Sequence, residues 1–120
     1  MVNGKKLNQI IIKILKKNGL NTNHATICSK ALINAELVGA HSHGLSRLKM
    51  YCDRIKKKLI NPRPKIKLKN ISQSITHINA DDSIGFVAAD TAIKKAIKNA
   101  KKTGIGLVAV KNSGHYGMSG

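Results

Sequence analysis

The sequence predicts an α/β fold: an N-terminal unit of three helices, then a β-α-β unit that opens a larger mixed sheet. Two observations carry this. Through the first half, apolar residues recur at helical spacing between lysine-rich faces. The second half changes period. Ser74 to Ala80 (SITHINA) alternates like a short strand, an alanine-rich helical stripe follows, and Ile105 to Val110 (IGLVAV) is a continuous apolar run.

In chain order, Leu7, Ile10, Ile11, Ile14 and Leu15 form the apolar stripe of a first helix that stops at Gly19. Asn21 or Asn23 can cap the second, whose inward residues read as Cys28, Ala31, Leu32, Ala35 and Val38, ending near Gly39. The third helix is expected from Ser42, with Leu45, Leu48, Cys52 and Ile55 inward, fading in the run Lys56-Lys57-Lys58. Pro62 and Pro64 then turn the chain extended. This divides the chain into a helical unit over residues 1–60, a linker over 61–73 and an α/β unit over 74–120. Within the α/β unit, Asp82 or Ser83 is expected to cap a helix burying Phe86, Ala89, Ile93, Ala96, Ile97 and Ala100, ended by Gly104. The run Ile105–Val110 reads as a strand covered on both faces, and Asn112 to Gly120 as a Gly-rich loop leaving it.

Among 120 residues, 22 Lys and Arg against five acids give a formal net charge of +17. That balance raises the reading of a small basic nucleic-acid-binding protein. Against it, Arg stands only at positions 47, 54 and 63, aromatics are scarce, and the lysines are spread along the whole chain. Lys, Ile and Asn share A/T-rich codons, so base composition can inflate the charge. Cys28 and Cys52 form no C-x-x-C pair and read as buried free thiols of a reducing compartment. Neither a signal-peptide core nor a bilayer-length apolar run stands in the sequence, so a cytoplasmic protein is expected.

Two places carry chemistry. On a helix from Ser42, positions 43, 47 and 51 share one face and present His43, Arg47 and Tyr51 in a row. Arg can fork onto a carboxylate, His can exchange a proton near neutral pH, and Tyr can hydrogen-bond a second oxygen, which suits a small 2-hydroxy or 2-oxo acid. By spacing alone the same face also fits an ordinary solvated helix side. His41 and His43, two apart, diverge on a helix and have no third ligand nearby, so no metal is expected. The second place is Asn112 to Gly120 with His115, just past the carboxyl end of the last strand, where α/β sheets bind ligands. No G-x-G-x-x-G follows a first strand, so a Rossmann fingerprint is absent. His24 reads as a helix-start residue and His77 as a strand-surface one.

The order and spacing of Ala35-Glu36-Leu37-Val38-Gly39-Ala40-His41-Ser42-His43-Gly44-Leu45-Ser46-Arg47, then Tyr51, then Asp82-Ser83-Ile84-Gly85, and finally Gly104 to Gly117 (GIGLVAVKNSGHYG) resemble the malate/L-lactate dehydrogenase family. This non-Rossmann group includes ureidoglycolate dehydrogenase and 2,3-diketo-L-gulonate reductase. The resemblance implies hydride transfer between NAD or NADP and a small 2-hydroxy/2-oxo acid. It assigns His43 and His115 as catalytic, either able to move the proton, and Ser42, Arg47 and Tyr51 as substrate-binding. It implies a homodimer at full length, with no membrane or nucleic-acid partner. Family members are much longer, and their nicotinamide-binding segments lie beyond the position of Gly120. The expectation is therefore a truncated form, a fragment or an inactive gene remnant, with no dehydrogenase activity and poor solubility as it stands.

Overall fold

The computed structural model describes residues 3–118. Its elements run α1 (Gly4–Lys17), α2 (Thr22–Leu37), two short 3-10 turns (His41–His43 and Leu45–Arg47), α3 (Leu48–Lys56), β1 (Lys67–Asn70), β2 (Ile75–Ser83), α4 (Gly85–Thr103) and β3 (Leu107–Ser113). The expected α/β class holds: helices first, then a mixed sheet. The described residues form two compact units, the first reaching Arg63 and taking in Gly117 and Met118, the second spanning Pro64–Tyr116.

In the first unit, Asn3 and Asn21 cap α1 and α2 by accepting the amides of Lys5 and His24 at 2.9 and 2.8 Å. Ile11 and Leu15 from α1, and Ala25, Cys28, Leu32 and Ala35 from α2, are buried. Ser29, also buried, donates to the Asn8 side chain at 2.7 Å and ties the two helices together. The stripe of α2 is therefore rotated from the sequence expectation: Ala25 and Ser29 are buried, while Val38 is 60% exposed. Helix α2 stops at Leu37, so Val38 lies in its C-cap and no longer shares the buried face.

Both cysteines are free and buried, as expected. Burial pushes the Cys28 thiol from 9.0 up to about 12 and raises Cys52 as well. Because the fold favours the neutral thiol, that stabilisation is complete below about pH 9 and is lost as pH rises toward about 12. Alkaline melting curves should show the thermal midpoint falling above about pH 9. Thiol titration at pH 8 should label neither cysteine in the folded chain and both in denaturant. Rapid labelling of the folded chain would contradict this packing.

In the second unit the sheet order is β1-β2-β3, with β1 antiparallel and β3 parallel to β2. Strand β1 lies inside the stretch 61–73 read from sequence as a linker. Its residues are all exposed, with three lysine and asparagine positions in Lys67-Leu68-Lys69-Asn70, so it carries no strand-like apolar pattern. Pairing through Lys67↔Asn79 and Asn70↔Thr76 makes it a strand. Thr76, Ile78 and Ala80 of β2 are buried, while His77 sits on the exposed side as expected. Helix α4 joins β2 to β3, giving the expected β-α-β unit.

Three details of this unit depart from the sequence reading. Neither Asp82 nor Ser83 caps α4; Ile84 occupies the cap position without a side-chain bond. Strand β2 runs through both residues, with Asp81 and Asp82 at φ 53° and 55°. Strand β3 starts at Leu107 and takes in Asn112 and Ser113, which were expected in the loop; Ser119 and Gly120 of that loop lie outside the described residues. The predicted buried faces are also partly open: Ile93 is 57%, Ile97 49% and Leu107 58% exposed. The cause is that, among the described residues, the sheet has three strands with β3 at its edge, so the outer flank of α4 has no further strand of these beneath it. A polar chain anchors the helix instead. Buried Asn99 donates to Thr76 Oγ1 at 3.1 Å and to the Ser74 carbonyl at 3.3 Å, and Thr76 donates to Asn70 Oδ1 at 3.1 Å.

Candidate functional site

The first cluster grows from the end of α2. Gly39 (φ 79°) ends the helix, and Ala40 bonds back to the Ala35 carbonyl at 2.8 Å. The chain then makes two 3-10 turns before α3 begins at Leu48, where sequence had placed one helix from Ser42. His43, Arg47 and Tyr51 therefore do not follow one α-helical face. The break is at Gly44, against which the Glu36 carboxylate packs: a Cβ there would lie 2.2 Å from Glu36 Oε1. That carboxylate accepts the Leu45 amide at 2.7 Å and contacts His41 Nδ1 at 2.6 Å. These hydrogen bonds, from His41 first and Leu45 second, hold the Glu36 carboxyl below its ordinary value.

Within the turn, Ser42 Oγ and His43 Nδ1 are 2.9 Å apart, Ser46 Oγ donates to the His41 carbonyl at 2.8 Å, and Arg47 Nε donates to the Ser42 carbonyl at 2.7 Å. The Arg47 guanidinium also reaches Met50 Sδ at 3.9 Å. Among the described residues no carboxylate pairs with it. The structure thus brings Ser42, His43 and Arg47 onto one compact turn. Tyr51 is different: it is 1% exposed, and burial raises its phenol above the ordinary value, partly offset by the charge of Arg47.

The second cluster belongs to the other unit. Asn112 takes φ 54°, and its amide donates to Asn79 Oδ1 at 3.0 Å, while that oxygen accepts the Asp81 amide at 3.1 Å. Both parallel strands bend together here, at a register irregularity between Asn79 and Ser83. Gly114 donates to the Ser83 carbonyl at 3.0 Å, carrying the loop onto the first turn of α4. Gly85 makes that approach possible, since a Cβ there would lie 2.3 Å from the His115 carbonyl oxygen. The exposed His115 ring stacks on Tyr116, with centroids 6.5 Å apart. Next to it runs an open, mostly apolar groove of about 800 Å³ between α4 and β3, with Ala89, Ala92, Ile93, Val108 and Val110 among its lining.

Sequence reasoning gave no role to Glu36 or Gly85. An acid five residues before His41, across a helix-ending glycine, is the signal for Glu36; Gly85 has none short of the structure.

A sequence model of the malate/L-lactate dehydrogenase family matches residues 2–120. The chain belongs to this family. It is 42% identical over 115 residues to the malate dehydrogenase of Pyrococcus abyssi, covering 96% of the chain and 32% of that protein. Against the L-sulfolactate dehydrogenase of Methanocaldococcus jannaschii the identity is 39% over 112 residues, or 93% of the chain and 33% of the relative. The structure of Pyrococcus horikoshii OT3 malate dehydrogenase superposes with a TM-score of 0.96 at 39% identity, covering 99% of this chain and 34% of that one. The chain therefore spans about a third of the length of these dehydrogenases. Family membership leaves the basic nucleic-acid-binding reading without support. No described helix is long and apolar enough to cross a membrane.

Proposed function

We propose that this chain carries the substrate-holding and proton-transferring residues of an NAD(P)-dependent dehydrogenase of small 2-hydroxy/2-oxo acids. One observation carries the reading: Arg47, without a carboxylate partner among the described residues, is fixed through its Nε on the same turn as Ser42 and His43. A cation tethered at one nitrogen keeps the rest of its fork for a substrate carboxylate. Ser42 orients the His43 ring through Nδ1, and His115 stands past the carboxyl end of two parallel strands, where α/β sheets take ligands. In this reading Arg47 holds the carboxylate and His43 meets the 2-oxygen, and the family resemblance makes His43 and His115 the two candidates to give or take its proton. Tyr51, buried on α3, is assigned to the same pocket by the family resemblance. Malate, sulfolactate and ureidoglycolate, named for the relatives, are all 2-hydroxy acids.

The nicotinamide is supported by a relative named ureidoglycolate dehydrogenase (NAD(+)), 34% identical over 111 residues. The residues of this chain do not by themselves make a dinucleotide site. The groove beside His115 has no Lys or Arg in its lining to meet a pyrophosphate, and no phosphate-binding glycine fingerprint precedes it. A homodimer and a reducing, cytoplasmic setting belong to the same reading, the latter in keeping with two buried free thiols.

The test is oxidation of NADH or NADPH by purified protein offered 2-oxo acids, alongside 2-oxo acids lacking the carboxylate charge as esters. Turnover confined to the free acids supports the reading. Equal turnover of acids and esters sinks the role given to Arg47.

A further inference from the structure

We propose that Glu36 is a positioning residue: from the end of α2 it fixes the turn that aims His43 and Arg47. This rests on the reading that those two side chains meet the substrate. Three contacts converge on the one carboxylate. Oε1 accepts the Leu45 amide at 2.7 Å, Oε2 contacts His41 Nδ1 at 2.6 Å, and Oε1 fills the space that a Cβ on Gly44 would take. Leu45 and His41 lie on opposite sides of Gly44, so the carboxylate clamps both 3-10 turns at their junction. What it clamps then sets the site. Ser42, next to His41, meets His43 Nδ1 and offers its carbonyl to Arg47 Nε at 2.7 Å. A charged acceptor makes the Leu45 bond stronger than a neutral one would. Glu36 is half-buried and stands outside the set His43, Arg47 and His115, so its action runs through the backbone of the turn.

The experiment pairs heteronuclear NMR of the full chain without ligand with steady-state kinetics on a 2-oxo acid. Glu36→Ala should move the Leu45 amide upfield and shift both the Arg47 Nε–H and the His43 ring resonances. It should also raise KM for the acid and lower kcat/KM by on the order of 10²-fold, as expected when a site is misplaced by about 1 Å. Glu36→Gln, which keeps an oxygen for Leu45, should recover most of that loss. Gly44→Ala reaches the same turn from the other side. It should reproduce the Arg47 and His43 shifts, and the double variant Glu36→Ala/Gly44→Ala should lose far less than the sum. A lower melting temperature with unmoved His43 and Arg47 resonances in both single variants would overturn the proposal. So would additive effects. An unsubstituted chain without turnover, whose resonances nevertheless respond to these substitutions as described, would defeat the dehydrogenase reading and leave the clamp standing.

Discussion

Arg47→Ala should cost on the order of 10²–10³-fold in kcat/KM for a 2-oxo acid, most of it in KM. Removing one partner of a desolvated, hydrogen-bonded charge pair costs about 2–5 kcal/mol, and the proposed function makes Arg47 and the substrate carboxylate such a pair. Arg47→Lys should recover little of this. The Nε donation to the Ser42 carbonyl at 2.7 Å needs a guanidinium, and a lysine can either hold the turn or reach the substrate, not both. Steady-state kinetics of the two variants with circular dichroism as a folding control checks this. A lysine variant close to the original would mean that only a positive charge is required.

His115→Asn should lower kcat by about 10²–10⁴-fold, the usual contribution of a positioned acid or base. KM should change little by comparison. His43→Asn should raise KM instead, because the His43 ring is oriented by Ser42 within the turn proposed to hold the carboxylate. A large kcat loss in His43→Asn, with kcat of His115→Asn close to the original, would move the proton to His43.

Much of this was legible in the sequence where local pattern and tertiary need coincide. The stripe of α1, the Asn21 cap, the Gly104 stop and the alternation of β2 each depend on neighbours a few residues away. Ser42, His43 and Arg47 were legible as a cluster because they are close in sequence. What was hidden depends on distant partners. Lys67–Asn70 has no apolar alternation and is a strand only because β2 pairs with it. The break at Gly44 follows from a carboxylate eight residues earlier, and hydropathy sees nothing of it. Asp82 looks like a helix cap, yet it and Asp81 take positive φ angles that serve the irregularity of β2 beside which Gly114 bonds to Ser83. Periodicity likewise assigned Ile93 and Ile97 to a core, whereas a helix stripe records only which face is apolar, not how much sheet lies under it.

The exposed apolar residues of α4 and of the approach to β3 show the same distinction. Ile93, Ile97, Ile105 and Leu107 are each about half exposed or more, an apolar surface of the kind that marks an interaction or folding face. Gly106, at the start of that edge, packs so closely on α4 that a Cβ would lie 2.0 Å from the Ala96 carbonyl. Gly106→Val should therefore push β3 off the helix and destabilise the unit by about 1–3 kcal/mol, as overpacking does, which thermal melts would register. An unchanged midpoint would show that β3 is looser than this contact implies.

The most direct measurement is NADH and NADPH oxidation with a panel of 2-oxo acids, using protein purified at the length its own gene encodes, that length first read from its intact mass. Acid-dependent oxidation that disappears in Arg47→Ala is the predicted result. A folded protein of that length that oxidises neither cofactor with any acid of the panel would contradict the account, and the family would then describe its ancestry alone.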